Sequence, residues 1–259
     1  MNNFSFMTTA LKTNLRYALA LKLSFYLNLF VAVLKQGLFL VSWYFFFQKY
    51  VDINGWDFND LLLMNGFVLI GLGSVEFFFG GIKDLPRIVE CNMLDSYLLQ
   101  PKNVIFNIAL SKTYVSALGD LLTGIIAIIF SGYFYSSFWL VLLMLPISIL
   151  FIFSMYLYFG SLSFFMSHAN EYIKELYQNV IIFATQPNSA YTGLLKWISL
   201  TIIPIGFISF FPVEFVKYNN FFYFLCAVAG TASFFFGACW FFYFGLKRYE
   251  SGSGIKTKL

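Results

Sequence analysis

Gly80-Gly-Ile-Lys-Asp-Leu-Pro-Arg-Ile-Val-Glu-Cys-Asn-Met-Leu-Asp-Ser-Tyr-Leu-Leu-Gln-Pro-Lys-Asn103 is the longest mixed-charge segment of an otherwise apolar chain. Lys83, Asp84, Arg87, Glu90, Asp95 and Lys102 fall inside it, with long apolar runs on both sides. A charge at the centre of a bilayer costs roughly 2.5–3.5 kcal/mol on insertion scales, so this block belongs in water beside a membrane. Its spacing predicts a short helix with Leu85, Ile88 and Val89 turned toward the protein and Arg87 and Glu90 turned outward.

Composition sets the frame around this stretch. Of 259 residues, 60% are hydrophobic and 11% charged, against about 45–50% and 25% in a soluble domain. The fold class is therefore all-α and polytopic, one transmembrane domain over residues 1–259. Cys91, Cys226 and Cys239 have no metal-ligand spacing, and the one histidine, His168, excludes a histidine cluster. The net charge of +4 is better read as loop orientation than as affinity for nucleic acid.

Working outward, Phe4, Met7, Leu11, Leu15, Ala18 and Leu19 recur at helical spacing, with Lys12 and Arg16 elsewhere on the wheel. Residues 1–22 thus read as an amphipathic helix in the headgroup layer. Spans are expected at 23–47, 61–79, 113–134, 139–167, 194–211 and 221–246, the third following an interfacial part up to Lys112. Thr185-Gln-Pro-Asn-Ser breaks any helix before the fifth span, and Pro212 closes that span. Six spans put both termini on one side. Thirteen cations from Lys12 to Lys258 share that side, while Lys49 and Lys217 lie on the other. The positive-inside rule then makes the termini and the 80–103 stretch cytoplasmic.

Lys35, Glu76 and Asp120 fall inside expected spans, where a charge is a functional candidate by default. Glu76 lies one turn from a span end and is placed to snorkel to water. Lys35, the deepest, is placed to pair with Glu76 or Asp120, or to line a cavity. Gly71-Leu-Gly73 reads as close helix packing rather than a nucleotide fingerprint. Ala229, Ser233 and Gly237 form a small-residue face on the last span, suited to helix contact within the subunit or between copies. No Gly-x-x-x-x-Gly-Lys-Ser/Thr loop occurs, so nothing here cradles ATP in that way.

Leu85-Pro86-Arg87-Ile88, Leu94-Asp95 and Leu98-Leu99-Gln100-Pro101-Lys102-Asn103 resemble the cytoplasmic loop of ABC-2 type permeases, the six-span membrane subunits of ATP-binding-cassette exporters. Ile53-Asn-Gly-Trp-Asp-Phe, Ile203-Pro-Ile-Gly-Phe207 and Phe211-Pro212 are similar to the same family. That family usually has glycine where Asn92 stands, and often a basic residue at Gln100. Asparagine tolerates positive φ better than other non-glycine residues, so a tight turn is expected to survive at Asn92.

The resemblance implies a subunit with no catalytic, metal or cofactor site of its own, in a bacterial inner membrane. ATP is bound on partner ATP-binding-cassette ATPase subunits, and the path is shared with a second permease copy or paralogue among membrane lipids. It implies an ATPase-coupling element made of Arg87, Ile88, Glu90, Asn92, Leu94, Asp95 and Pro101, with Ile88, Val89 and Leu94 docking into the ATPase. Asp95 reads equally well as the cap of a helix at 96–100. The abundance of Phe and Tyr points to an apolar or amphipathic cargo. Two other readings are a lipid-processing enzyme built on Asp84, Glu90 and Asp95, and a non-catalytic assembly subunit.

Overall fold

The computed structural model describes residues 3–20, 22–50, 52, 55–166, 168–186 and 205–249. The described residues are predominantly helical, without strands. They form α1 (Asn3–Ala20), α2 (Lys22–Lys49), α3 (Phe58–Phe78), α4 (Leu85–Glu90), α5 (Asp95–Leu98) and α6 (Val104–Leu110). There follow α7 (Ala117–Phe130), α8 (Tyr133–Ser136), α9 (Phe138–Ser161), α10 (Ala169–Ala184), α11 (Phe210–Tyr218) and α12 (Phe221–Leu246).

The architecture is set by α3. Its residues are apolar on every side, with no polar stripe, and a helix of that kind must be surrounded. Every residue from Asp60 to Glu76 is buried. Asp57 and Asp60 start it with a reciprocal capping box. Its closest neighbour, α7, approaches backbone to backbone because small residues face each other. A Cβ on Gly73 would lie 2.8 Å from the Ala117 carbonyl oxygen, and one on Gly71 would lie 3.1 Å from that of Ser148 on α9. The Gly71–Gly73 pair is thus the close-packing feature its sequence suggested.

Four described helices are long and apolar enough to cross a bilayer, within Phe25–Lys49, Phe58–Phe78, Phe138–Phe164 and Phe221–Leu246. The chain is therefore a multi-pass membrane protein. The third apolar helix differs from the 113–134 expected: α7 covers 14 residues, about 21 Å at 1.5 Å per residue. Side-chain bonding draws Lys112–Ser116 out of helix, as described below. The fourth ends at Ser161 and passes into a 3-10 turn at Leu162–Phe164 instead of running to 167.

Most of the fifth expected span lies outside the described residues. Its described end forms a 3-10 turn at Ile205–Phe207 and the first residues of α11, and α11 runs on to Tyr218 where a loop was expected after Pro212. Pro212 occupies the first turn of α11, where its missing N–H has no intrahelical partner to lose. It opens a helix rather than closing one.

At the α3 N-terminus a second set of polar contacts ties the 55–57 loop to α11. Asp60 accepts from Tyr133 Oη (2.7 Å) and Lys217 Nζ (2.5 Å), and Lys217 also donates to the Gly55 carbonyl oxygen (2.7 Å). Trp56, buried against Phe210, donates its indole N–H to Glu214 at 3.1 Å. The apolar core around the N-terminal half of α3 is thus closed by a polar cluster.

Candidate functional site

The C-terminal end of α3 runs into a 3-10 turn, Gly80–Asp84, which leads directly to α4. Gly81 makes that route possible: a Cβ there would stand 1.9 Å from the Ile108 carbonyl oxygen of α6. The turn therefore lies flush on α6, and Lys83 and Asp84 are delivered to the ends of α3 and α9.

Two charge clusters result. Glu76 accepts from Lys83 Nζ and from Tyr156 Oη on α9, both at 2.6 Å. Asp84 accepts from Lys112 Nζ and from Tyr114 Oη, also both at 2.6 Å, and Lys112 donates further to the Tyr114 oxygen at 3.0 Å. The Tyr114 amide bonds the Glu76 carbonyl oxygen at 3.0 Å. These contacts hold residues 112–116 off the α7 axis. Burial works against the Asp84 carboxylate, but hydrogen bonds from Lys112 and Tyr114 outweigh it and keep the pKa below the usual carboxylate value. Burial and that same carboxylate push the Tyr114 phenol far up.

Each residue expected to couple to an ATPase has a definite setting. Leu85, Ile88 and Val89 are buried on the inner side of α4, while Arg87 and Glu90 are exposed, as their spacing predicted. The docking expected of Ile88, Val89 and Leu94 into a partner is corrected by this arrangement. All three are in the chain's own core, Leu94 with 0% exposure, because four apolar residues of a one-and-a-half-turn helix suffice to bury it against α9 and α10.

Glu90 accepts from the Asn170 amide at 3.2 Å and lies 3.5 Å from His168 Nδ1, so it serves the first turn of α10. Asn92 has φ 55°, the left-handed turn expected where the family carries glycine. Asp95 lies within the first turn of α5, whose cap residue is Leu94, and stands beside Tyr249 past the end of α12. The cap expected of Asp95 is accordingly not made.

Leu99, Pro101 and Met93 are exposed around these residues, Leu99 at 87%. Sequence reading assigned Leu99 no role. Its placement two residues before a proline in a wet loop is the signal available for it.

The three intramembrane charges separate. Glu76 is buried and paired rather than snorkelling. Asp120 accepts from Gln36 Nε2 at 3.0 Å. Lys35 is exposed and pairs with neither carboxylate, since the adjacent Gln36 is the α2 residue turned toward α7.

Two cavities lie along these elements, the second of them lined by the clusters' own residues. One, of about 740 Å³, is an apolar groove between α6, α9 and α12, lined by Ile105, Phe106, Pro146, Phe153 and Phe235, with Asn103 and Tyr243 as its polar members. Asn103 Nδ2 donates to the Tyr243 oxygen there at 2.9 Å. The other, of about 340 Å³, is polar and opens between Lys83, Arg87, Lys112 and Lys174. Among the described residues no set of His, Cys, Asp and Glu is placed to hold a metal.

The arrangement is thus a charged element clamped to the ends of several membrane helices and exposed on its far side. Neither the curated proteins nor the solved structures give a match to the chain. Residues 33–253 match the family described as ABC-2 family transporter protein. With most of its length inside that match, the chain belongs to the ABC-2 family of transporter membrane proteins.

Proposed function

We propose that this chain is the permease subunit of an ATP-driven exporter in a bacterial inner membrane, with both termini and the 80–112 region in the cytoplasm. Two permease copies, or this chain and a paralogue, line the path, and separate ATP-binding-cassette ATPases supply the energy. The observation that carries the reading is the double clamp of the Gly80–Asp84 turn. Lys83 ties it to Glu76 of α3 and through Glu76 to Tyr156 of α9, and Asp84 ties it to Lys112 and Tyr114 at the entry to α7. A displacement of α4 therefore reaches three membrane helices at once.

ATP binding closes the ATPases and pushes α4. Ion pairs and close glycine contacts carry the push into α3, α7 and α9, and the path changes from inward- to outward-open. The ATPase contact falls to the exposed residues Arg87, Asn92, Leu99 and Pro101, with Asp95 at their edge. Ile88 and Leu94 act beneath them, and the exposed Glu90 holds the element to the start of α10. The apolar groove beside α6 favours an amphipathic or apolar cargo.

Co-purification from detergent tests this. Leu99→Asp combined with Arg87→Ala is expected to leave yield and thermal stability as in wild type and to abolish recovery of the ATPase. Undiminished ATPase recovery and undiminished export in that variant would sink the assignment.

A further inference from the structure

The cavity of about 340 Å³ beside the clamp has a charge that the clamp does not use. Lys83, Arg87, Lys112 and Lys174 line it, against one lining carboxylate, Asp84, and Glu76 behind Lys83, leaving two positive charges in excess. Lys83 and Lys112 are held by those two carboxylates. Among the described residues neither Arg87 nor Lys174 has a carboxylate at ion-pairing distance, and Glu171 and Glu175, the acids nearest in sequence to Lys174, form no ion pair with it. Like charges gathered around one hollow repel each other unless an anion enters.

We infer that this cavity binds the phosphate headgroup of an anionic phospholipid from the adjoining leaflet. Its depth is right for one. Tyr156 lines its buried end and donates to Glu76, and these two residues belong to the C-terminal turns of two membrane-crossing helices, the level of lipid phosphates rather than of bulk water. Its polar donors are suited to phosphate oxygens: the Arg87 guanidinium and Lys174 ammonium carry charge, and the exposed Gln178 adds an amide. Its flank is apolar. Ile181 lines it, and the next two residues of α10, Ile182 and Phe183, are 57% and 44% exposed, a surface for acyl chains. A bound headgroup would bridge α10 to α4 and brace the clamp. The inference needs this end of the molecule to lie at the bilayer surface, and it does not depend on the ATPase.

Purified full-length protein in detergent supplies the test, with thermal stability followed as phosphatidylglycerol, phosphatidylcholine or inorganic phosphate is added. Phosphatidylglycerol is expected to raise Tm saturably, while phosphatidylcholine, whose choline cation offsets its phosphate, gives no comparable shift. Lys174→Gln should weaken the apparent affinity about tenfold, the loss of one charge-assisted contact. Lys174→Arg should restore it, and Gln178→Glu should weaken it by placing a carboxylate at the cavity. Lys174 and Gln178 are exposed, so both variants should match wild-type stability without lipid. Equal stabilisation by phosphatidylcholine, an equal shift from inorganic phosphate alone, or unchanged affinity in both weakening variants would each overturn the lipid site. Persistent ATPase co-purification with Lys174→Gln is expected, so loss of this site and loss of coupling are read separately.

Discussion

At the residue scale, the same stretch holds side chains of opposite duty only a few positions apart. Leu94 is fully buried and Leu99 is 87% exposed. Leu94→Ala is expected to cost about 2–5 kcal/mol, as for other buried leucines, and Leu99→Ala to stay within about 0.5 kcal/mol. Thermal melts of the two variants in one detergent check this, and equal Tm values would refute the assignment. Lys83→Met should cost about 3 kcal/mol, the low end for breaking a buried pair, since 30% of the Lys83 side chain keeps contact with solvent. Adding Glu76→Gln should recover most of that loss by removing the stranded charge; a double variant less stable than Lys83→Met would contradict the pairing.

At the opposite end, burial raises the Glu214 pKa above its usual 4.5, outweighing the Trp56 hydrogen bond and Lys217. The folded protein then holds a proton that the unfolded chain has already released. Stability accordingly falls as pH rises from about 4.5 through the folded-state pKa. Glu214→Gln should flatten that slope and leave Tm at pH 7 equal or higher; melts across pH 4.5 to 8 decide it.

At the element scale, the link between α4 and α5 turns on Asn92, whose φ of 55° suits glycine or asparagine and strains a β-branched side chain. Asn92→Gly is expected to be nearly neutral, and Asn92→Val to cost about 1–2 kcal/mol, by thermal melting. A harmless valine would mean that the turn is not left-handed. On α12, the face expected to pack within the subunit, Ala229, Ser233 and Gly237, is instead exposed, and a Cβ on Gly237 would meet nothing within 4 Å. The buried face carries Ala227, Thr231, Ala238 and Phe242. If two copies meet through the exposed stripe, Gly237→Leu should leave the subunit's Tm unchanged and shift its mass distribution in detergent toward monomer. An unaltered distribution would remove the stripe from the interface.

At the scale of the whole molecule, α3 is the buried shaft against which α2, α7, α9 and α11 pack, closed by ion pairs at each end. The proposed function places ATP hydrolysis on separate subunits. The purified chain alone is therefore expected to hydrolyse no ATP. Turnover by a preparation free of ATPase subunits would defeat the reading. Single cysteines at positions 83 and 102 should label from the cytoplasm and one at 57 from outside. External labelling at 102 would overturn the orientation.

Sequence alone determined the membrane class and the inward and outward sides of residues 85–90, since each follows from local composition and period, and its short motifs carried the family resemblance. Asn92 was legible for the same reason: a left-handed turn is a property of a few consecutive residues. What only the tertiary structure decided depends on pairs far apart in the chain. Glu76 and Tyr156 meet across 80 positions, and Lys112 meets Asp84 across 28, so a helix that hydropathy would extend to 113 begins at Ala117. Burial of Leu94, which lies outside the Leu85–Glu90 helix, was likewise hidden, because apolarity shows that a side chain will leave water without showing whether its own core or a partner receives it.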